Sequence, residues 1–395
     1  MAFAKEPPFT HGGPGSFDSR TAILLCNLGT PDEATASAVR RYLAEFLSDH
    51  RVVEIPKPIW WLILHGIILR LRPAKSAAKY ASIWTAEGSP LKVWSEKQAK
   101  LLQGYLGEQG HKVQVRLGMR YANPSMRSQL DALKAEGFNR ILILPMYPQY
   151  SGTTTASVFD AVYTWAAKVR RIPELRFVNN YHGDPGYINA LAQRVSGYWQ
   201  QHGKPDKLVL SFHGVPERTL QLGDTYHCEC YKTARLLGEQ LGLVKDQLQV
   251  TFQSRFGKAK WLEPYTEPTL IAMAQAGVKR VDVLCPGFTV DCLETLEEMA
   301  MEGKEAFLHA GAGSKAALEG RSFHYIPCLN DSPEWVRGLG HIALQHMGGW
   351  DTTSGLNSAE LALQQTLAAG LGAKQWLLHT LAQPKVTLRL LAKAP

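Results

Sequence analysis

The sequence predicts an α/β protein made of two similar doubly wound domains, each with a four-stranded parallel sheet flanked by helices. Short β-branched and apolar runs alternate with longer helical patterns, which is typical of βαβ units. The halves also resemble each other, since the fourth strand of each leads to an N-cap residue and then proline at the first helical position. These pairs are Asp184-Pro185 and Ser332-Pro333.

The predicted strands fall into two sets of four. They are Ala22 to Leu28, Val113 to Arg120, Arg140 to Tyr147 and Leu175 to Asn179, then Lys207 to Phe212, Leu248 to Gln253, Val281 to Leu284 and Phe323 to Pro327. We expect a flexible N-terminus (1–17), domains at 18–185 and 186–349, and a partly helical or disordered extension (350–395) with a short helix at Asn357 to Ala369. In a sheet of order 2-1-3-4, ligands bind beyond the carboxyl ends of the strands.

The composition is that of a globular protein: 395 residues, 45% hydrophobic and 20% charged. Six scattered cysteines and a polar N-terminus without a secretory signal predict free thiols in a reducing cytoplasm. The net charge of +8 comes without a dense basic run, which argues against nucleic acid as a partner. Such a charge suits an anionic substrate or weak peripheral contact with the inner membrane.

An apolar run from Pro58 to Leu71 predicts a helix with an apolar face, in a lip segment at residues 58–72. The run is shorter than the about 20 residues that a membrane span needs. Two interpretations stay open, a buried core helix and an exposed lip that faces a hydrophobic ligand or a bilayer. Adjacent Trp60 and Trp61 favour the lip, because both cannot face one narrow core stripe.

Two candidates for chemistry follow strands of the second half. His213 ends the first of these strands, and Glu294 follows the third, at the start of a helix expected near Asp291. In a sheet of order 2-1-3-4 those strands are neighbours, so an imidazole and a carboxylate are expected at one cleft. Such a pair can bind a divalent metal or move protons near neutral pH. A structural histidine is the alternative for His213.

Glu294, Glu298 and Glu302 recur every four residues, which places them near one face of a helix. A solvated acidic face is one interpretation of this pattern. The other is a path for a cation, with oxygen ligands repeated along the route.

Polar residues also follow the strands of the first half. Asn27 to Pro31 follow the first strand, Arg120-Tyr121 the second, and Pro148 to Ser151 the third. The segment Gly152 to Thr155 then opens a helix, which is a ready site for an anionic group.

Several of these segments together resemble the ferrochelatases, across about residues 20–349 and most closely the proteobacterial members. The matching segments are LLCNLGTPDEA, GSPL, RYANP, MYPQYSGTTT, LSFHGVPER, TFQSRFGKAKWLEPYT and CPGFTVDCLETLEE. The resemblance implies a chelatase-like fold with a porphyrin cleft between the halves, in a monomer or homodimer. It implies a lyase that inserts Fe²⁺ into protoporphyrin IX, the last step of haem biosynthesis.

The resemblance also assigns residues. His213 and Glu294 match the family's active-site histidine and glutamate, as catalytic residues and metal ligands, and Glu298 and Glu302 match its acidic path for iron or protons. The candidates for porphyrin binding are Arg72, Tyr80, Tyr121, Gln149, Ser151 and Thr154. Cys292 stands where the animal enzymes carry a second histidine, which puts any role for imidazole there in doubt.

No cofactor beyond the substrate iron is expected. Some family members hold a [2Fe–2S] cluster on cysteines near the C-terminus, but no cysteine follows Cys328 here. A set made of Cys228 and Cys230 with Cys285 or Cys292 is the alternative.

Other functions stay open at this point. A related chelatase would act on coproporphyrin, or on sirohydrochlorin with cobalt or nickel, and a carrier would bind porphyrin or haem without turnover. A nicotinamide enzyme is disfavoured, because the fingerprint-like run Gly311 to Ala316 follows a helix and precedes a strand.

Overall fold

The computed structural model describes residues 19–257, 259–310 and 320–353. The expected flexible N-terminus, the loop at 311–316, the helix at 357–369 and most of the C-terminal extension lie outside the described residues.

Two four-stranded parallel sheets form the framework, and all eight predicted strands are confirmed within a few residues. The strands are β1 Thr21–Asn27, β2 Val113–Met119, β3 Arg140–Pro145, β4 Glu174–Phe177, β5 Lys207–His213, β6 Leu248–Gln253, β7 Arg280–Leu284 and β8 Ser322–Tyr325. Their order is β2-β1-β3-β4 in the first sheet and β6-β5-β7-β8 in the second. The predicted order 2-1-3-4 is therefore confirmed in both halves, and β5 lies beside β7.

The helices cover both faces of each sheet. They are α1 Ala36–Leu47, α2 Lys57–Ile63, α3 Leu69–Ile83, α4 Pro90–Glu108, α5 Met126–Ala135, α6 Thr155–Ala166, α7 Pro185–His202, α8 Glu217–Gln221, α9 Tyr226–Leu241, α10 Thr266–Gln275, α11 Lys304–His309 and α12 Pro333–His346. Among the described residues there are also two π-helices, Leu64–Ile68 and Glu294–Gly303, and a 3₁₀ turn, Lys245–Gln247. Every residue of β1 is buried, as expected for a central parallel strand covered on both faces.

A hydrophobic core runs through both halves. Residues from β1, such as Leu25, and from β5, such as Leu210, belong to the same cluster of buried side chains. Helices α7 and α12 pack together where Gly186 meets Gly338, and a Cβ on Gly186 would lie only 2.9 Å from the Cα of Gly338. These two helices of the second half are thus held together by close backbone contact, and the domain limits at 185 and 349 stay a prediction.

Both predicted helix starts are confirmed. The side chain of Asp184 accepts hydrogen bonds from the backbone N–H groups of the first turn of α7, and Ser332 caps α12 in the same way. Proline occupies the first turn of each helix, where no backbone donor is needed.

The lip helix, which we define as residues 57–83, consists of α2, the π-helix Leu64–Ile68 and α3 in direct succession. Its outer face is apolar and 55–68% exposed at Ile59, Trp61, Leu62, Ile67 and Leu71. Trp60 instead turns inward, and its indole N–H donates to the carbonyl of Leu47 at 2.6 Å. The adjacent tryptophans therefore face opposite ways, which favours the exposed lip over the core helix. Among the described helices, none is both long and apolar enough to cross a bilayer.

Candidate active site

His213 is the last residue of β5, at the carboxyl end of the second sheet. Its Nδ1 lies 2.6 Å from the carbonyl oxygen of Gly214. Since a carbonyl oxygen can only accept, Nδ1 carries the hydrogen, and Nε2 of the neutral ring has a free lone pair. Gly214 is required here, because a Cβ would lie 2.7 Å from the carbonyl oxygen of Gln253 on the neighbouring strand. The local backbone thus leaves Nε2 able to accept a proton.

The helix expected near Asp291 is present and begins within a few residues, but its segment Glu294–Gly303 is a π-helix and not an α-helix. Its i→i+5 hydrogen bonds widen the turn, a departure that is frequent at functional sites. Thr295 stabilises the preceding loop, because its hydroxyl accepts a hydrogen bond from the N–H of Cys292 at 2.9 Å and donates one to Asp291 at 3.2 Å. We call Glu294–Gly303 the site π-helix.

The carboxylate of Glu298 is held by the end of β6. The backbone N–H of Ser254 donates to Oε1 at 2.6 Å, and the hydroxyl of Ser254 donates to Oε2. The amide of Gln253 donates to the backbone carbonyl of Glu294 at 2.8 Å and lies 3.3 Å from Oε2 of Glu298. The strand next to β5 therefore fixes both the site π-helix and its central carboxylate.

Glu298 connects the two predicted catalytic residues electrostatically. Burial raises the pKa of the Glu298 carboxyl above its usual value, and the charge of Glu294 adds to that rise. The hydrogen bonds from Ser254 and the electrostatic effect of His213 oppose it. Both His213 and Glu294 thus lie close enough to Glu298 to act on its charge. A carboxyl with a raised pKa can exchange protons nearer to neutral pH.

Tyr80 of the lip helix lies near Glu294 of the second half, because α3 contacts the site π-helix and Leu293 packs against the cluster that contains Tyr80. Burial and then the charge of Glu294 raise the pKa of the Tyr80 hydroxyl well above its ordinary value. The ring of Tyr80 is 8% exposed and packs edge-on against Tyr42, with centroids 6.5 Å apart. Two residues predicted separately, one for the porphyrin and one for the metal, therefore lie together where the halves meet.

Sequence reasoning missed Lys79, the neighbour of Tyr80. Its Nζ lies 2.8 Å from Oε1 of Glu302 and 2.8 Å from Oε1 of Glu297. The outermost glutamate of the predicted path thus forms an ion pair across the halves. Nothing in the spacing of the three glutamates signals this partner.

The other porphyrin candidates take up varied positions. The guanidinium of Arg72 stacks on the ring of Phe256 at 4.2 Å, across the two halves. Tyr121 is buried, and its hydroxyl donates to Asp49 at 2.8 Å. Gln149 is also buried and donates to Thr233 at 2.9 Å. Porphyrin contact by these side chains stays a prediction.

The predicted anion site at the start of α6 already faces a carboxylate of the protein. The N–H of Gly152 donates to Oδ2 of Asp224 at 2.8 Å, and the hydroxyl of Ser151 lies 3.2 Å from the same oxygen. Thr154 is the N-cap residue, but its side chain makes no capping hydrogen bond. Asp224 of the second half thus accepts hydrogen bonds from donors that the sequence predicted for an anionic ligand.

The comparison with known proteins decides the family. The sequence model of the Ferrochelatase family matches residues 20–347. This chain belongs to the ferrochelatase family. It is therefore a metal chelatase of the lyase class, with iron and a porphyrin as its substrates.

Bacterial ferrochelatases resemble this chain over nearly its whole length. One from Polaromonas sp. strain JS666 is 68% identical over 373 residues, which cover 94% of this chain and all of the relative. One from Methylibium petroleiphilum is 66% identical over 374 residues, with 95% and 100% coverage. A solved structure, SirB from Bacillus subtilis with Fe³⁺, is 10% identical, with 86% and 100% coverage and a TM-score of 0.48.

The six cysteines of this ferrochelatase form no disulfide in the described part of the chain. Cys228 is exposed, whereas Cys230, Cys285 and Cys292 are buried. Burial, followed by the charge of Glu294, raises the pKa of Cys292 well above its ordinary value, so its thiol stays protonated. Within the described ranges, no three His, Cys, Asp or Glu side chains converge into a preformed metal site.

Proposed function

We propose that this ferrochelatase inserts Fe²⁺ into protoporphyrin IX to give protohaem, with His213, Glu294 and Glu298 as its working groups. The observation that carries the proposal is the cluster itself. His213 lies opposite Gln253 in the pairing of β5 with β6, and the amide of Gln253 donates to the backbone carbonyl of Glu294 and lies 3.3 Å from Oε2 of Glu298.

Metal insertion must remove the two pyrrole N–H protons. Nε2 of His213 is the acceptor, since Nδ1 already donates to the Gly214 carbonyl and the ring is held in one tautomer. Glu294 assists as a second base or as the last ligand of the entering iron. Its carboxylate lies beside Tyr80, on the side that faces the lip helix.

Iron enters, or protons leave, along the site π-helix. Glu302 is 53% exposed, while Glu294 and Glu298 are partly buried, and Ser254 holds the carboxylate of Glu298. Carboxylate oxygens repeated along the helix let a hydrated cation exchange waters for protein ligands in steps.

The porphyrin disc needs an apolar surface with a few polar groups. Tyr80 and the apolar side chains of the lip helix supply that surface, and Arg72 supplies a cation for a propionate. Binding of the rest of the disc would sustain a bent macrocycle whose nitrogen lone pairs are exposed to the metal.

The exposed face of the lip helix also supports a proposal about location. A cytoplasmic protein with five exposed apolar side chains in this segment, namely Ile59, Trp61, Leu62, Ile67 and Leu71, can rest on the surface of the inner membrane. That position suits a lipophilic substrate and product. Monomer and homodimer are both compatible with this arrangement.

The substrate is tested by anaerobic assays of the purified protein with Fe²⁺ and, in turn, protoporphyrin IX, coproporphyrin III and sirohydrochlorin. We expect the highest kcat/KM with protoporphyrin IX. Faster turnover of either rival would assign the protein to another chelatase reaction. Tight porphyrin binding without metal insertion would make it a carrier.

A further inference from the structure

The ammonium group of Lys79 occupies the outer end of the row of glutamates. It lies 2.8 Å from Oε1 of Glu302 and, on its other side, 2.8 Å and 3.0 Å from the two carboxylate oxygens of Glu297. Lys79 belongs to α3 in the first half, and both glutamates belong to the site π-helix in the second. A protein cation is therefore placed where a metal cation would first meet carboxylates.

Consecutive residues of α3 lie near the two ends of this row. Tyr80 is buried and lies near Glu294, the first glutamate of the row, while Lys79, whose side chain is 45% exposed, pairs with Glu302, the last. Glu297 is only 11% exposed, so its charge depends on Lys79 for compensation. The helix that carries the porphyrin candidate Tyr80 thus also controls the charge at the entrance of the row.

We propose that Lys79 is the resident counter-ion that an incoming ferrous ion displaces from Glu297 and Glu302, and that it thereby sets the apparent affinity for iron. This inference rests on the proposed function, in which the glutamates conduct iron. It makes Lys79 a positioning residue, because it acts through the two carboxylates and does not touch the reacting atoms.

Elementary electrostatics supports the displacement. A divalent ion at Glu302 would lie within a few ångströms of the ammonium group and be repelled by it, so the two cations compete for the same oxygens. The ion pair between Lys79 and Glu302 is exposed enough to open, since both side chains are about half accessible and exposed ion pairs are weak. Lysine suits this task as a flexible point charge, whereas an arginine fork would hold both carboxylates more firmly.

The experiment compares Lys79→Met and Lys79→Gln with wild type and with Lys75→Met. Lys75 is exposed on the same helix, one turn away, and its substitution removes the same formal charge. Initial rates of haem formation are measured against Fe²⁺ at saturating porphyrin, and against porphyrin at saturating Fe²⁺. Binding of Mn²⁺, which prefers carboxylate oxygens, is followed by electron paramagnetic resonance without porphyrin.

For both Lys79 variants we expect the apparent KM for iron to fall about fivefold, as for loss of one exposed ion pair, with kcat and the porphyrin KM nearly constant. Mn²⁺ should bind more tightly by a similar factor, and Lys75→Met should resemble wild type. An unchanged or raised iron KM, or an equal fall in Lys75→Met, would overturn the inference. A wild type that forms no metalloporphyrin would refute the proposed function instead, and the Mn²⁺ comparison would still decide whether Lys79 competes with a cation.

Discussion

Ser254 donates both its backbone N–H and its hydroxyl to the carboxylate of Glu298. Ser254 follows β6 directly and has a left-handed backbone, with φ of 66°, which turns both donors toward the site π-helix. The central carboxylate of the acidic row is therefore fixed by the neighbouring strand and not by its own helix.

Glu298→Gln tests whether this carboxylate serves the metal ion. The amide keeps the shape and one acceptor but removes the charge, so we expect the apparent KM for Fe²⁺ to rise about tenfold with little change in the porphyrin KM. Steady-state rates against each substrate give both constants. Glu305→Gln is the matched control, since Glu305 is exposed on α11, which directly follows the site π-helix. An unchanged iron dependence of Glu298→Gln would remove Glu298 from the path.

Ser254→Gly tests the role of the hydroxyl in setting the charge of Glu298. Burial raises the pKa of Glu298, and the donors of Ser254 oppose that rise, so loss of the hydroxyl should raise the pKa further. Glycine accepts the positive φ and keeps the N–H donor.

If iron needs the ionised carboxylate, the acid limb of the profile of kcat/KM for iron against pH moves to higher pH, by roughly half a unit. The alkaline limb should stay in place. An unmoved acid limb together with an alkaline limb that moves to higher pH would show that the protonated form of Glu298 is the active one.

Glu229 at the start of α9 joins the halves. It is 7% exposed and accepts from the N–H of Tyr150 at 2.7 Å, and its Oε2 lies 3.0 Å from Nδ1 of His182. Although burial opposes ionisation, these partners hold the pKa of Glu229 below its usual value. Glu229→Gln breaks a buried charged network, so we expect a loss of about 2–4 kcal/mol in the free energy of unfolding.

Urea denaturation at pH 7, followed by tryptophan fluorescence, measures this loss. The control is Glu239→Gln on the same helix, whose partner Arg235 is as exposed as Glu239 itself, and it should change stability by less than about 0.5 kcal/mol. Equal effects of the two substitutions would mean that Glu229 does not join the halves.

Ile67→Ser tests the proposed membrane contact of the lip helix. Ile67 is 55% exposed on the lip helix, and Ile172, which is 53% exposed before β4, provides a matched site outside it. We expect Ile67→Ser to lower the affinity for phosphatidylcholine–phosphatidylglycerol vesicles about tenfold, as for loss of one apolar side chain from a bilayer. Co-sedimentation with the vesicles measures this affinity. Ile172→Ser should bind vesicles as wild type does, and equal losses in the two variants would argue against the lip.

The sequence predicted the framework well because its signals are local. Alternating patterns locate the strands, and the repeated cap-proline pairs at 184–185 and 332–333 locate α7 and α12. His213 was found because the carboxyl ends of parallel strands hold ligands. The same rule applied to β6 would have found Ser254.

Other parts of the site depend on contacts between distant residues. Lys79 and Glu302 are 223 positions apart, and Gly152 and Asp224 are 72 apart, so no local pattern indicates either pair. The π-helix also escapes sequence reasoning, since a repeat of glutamate every four residues does not distinguish it from an α-helix.

The most direct test is a time course of haem formation from protoporphyrin IX and Fe²⁺ under anaerobic conditions, for wild type against His213→Ala. If Nε2 of His213 accepts the pyrrole protons, kcat falls by about 10²–10⁴-fold while porphyrin binding, measured by fluorescence quenching, is retained. Near-normal turnover by the alanine variant would contradict the assignment and move the proton acceptor elsewhere in the cleft.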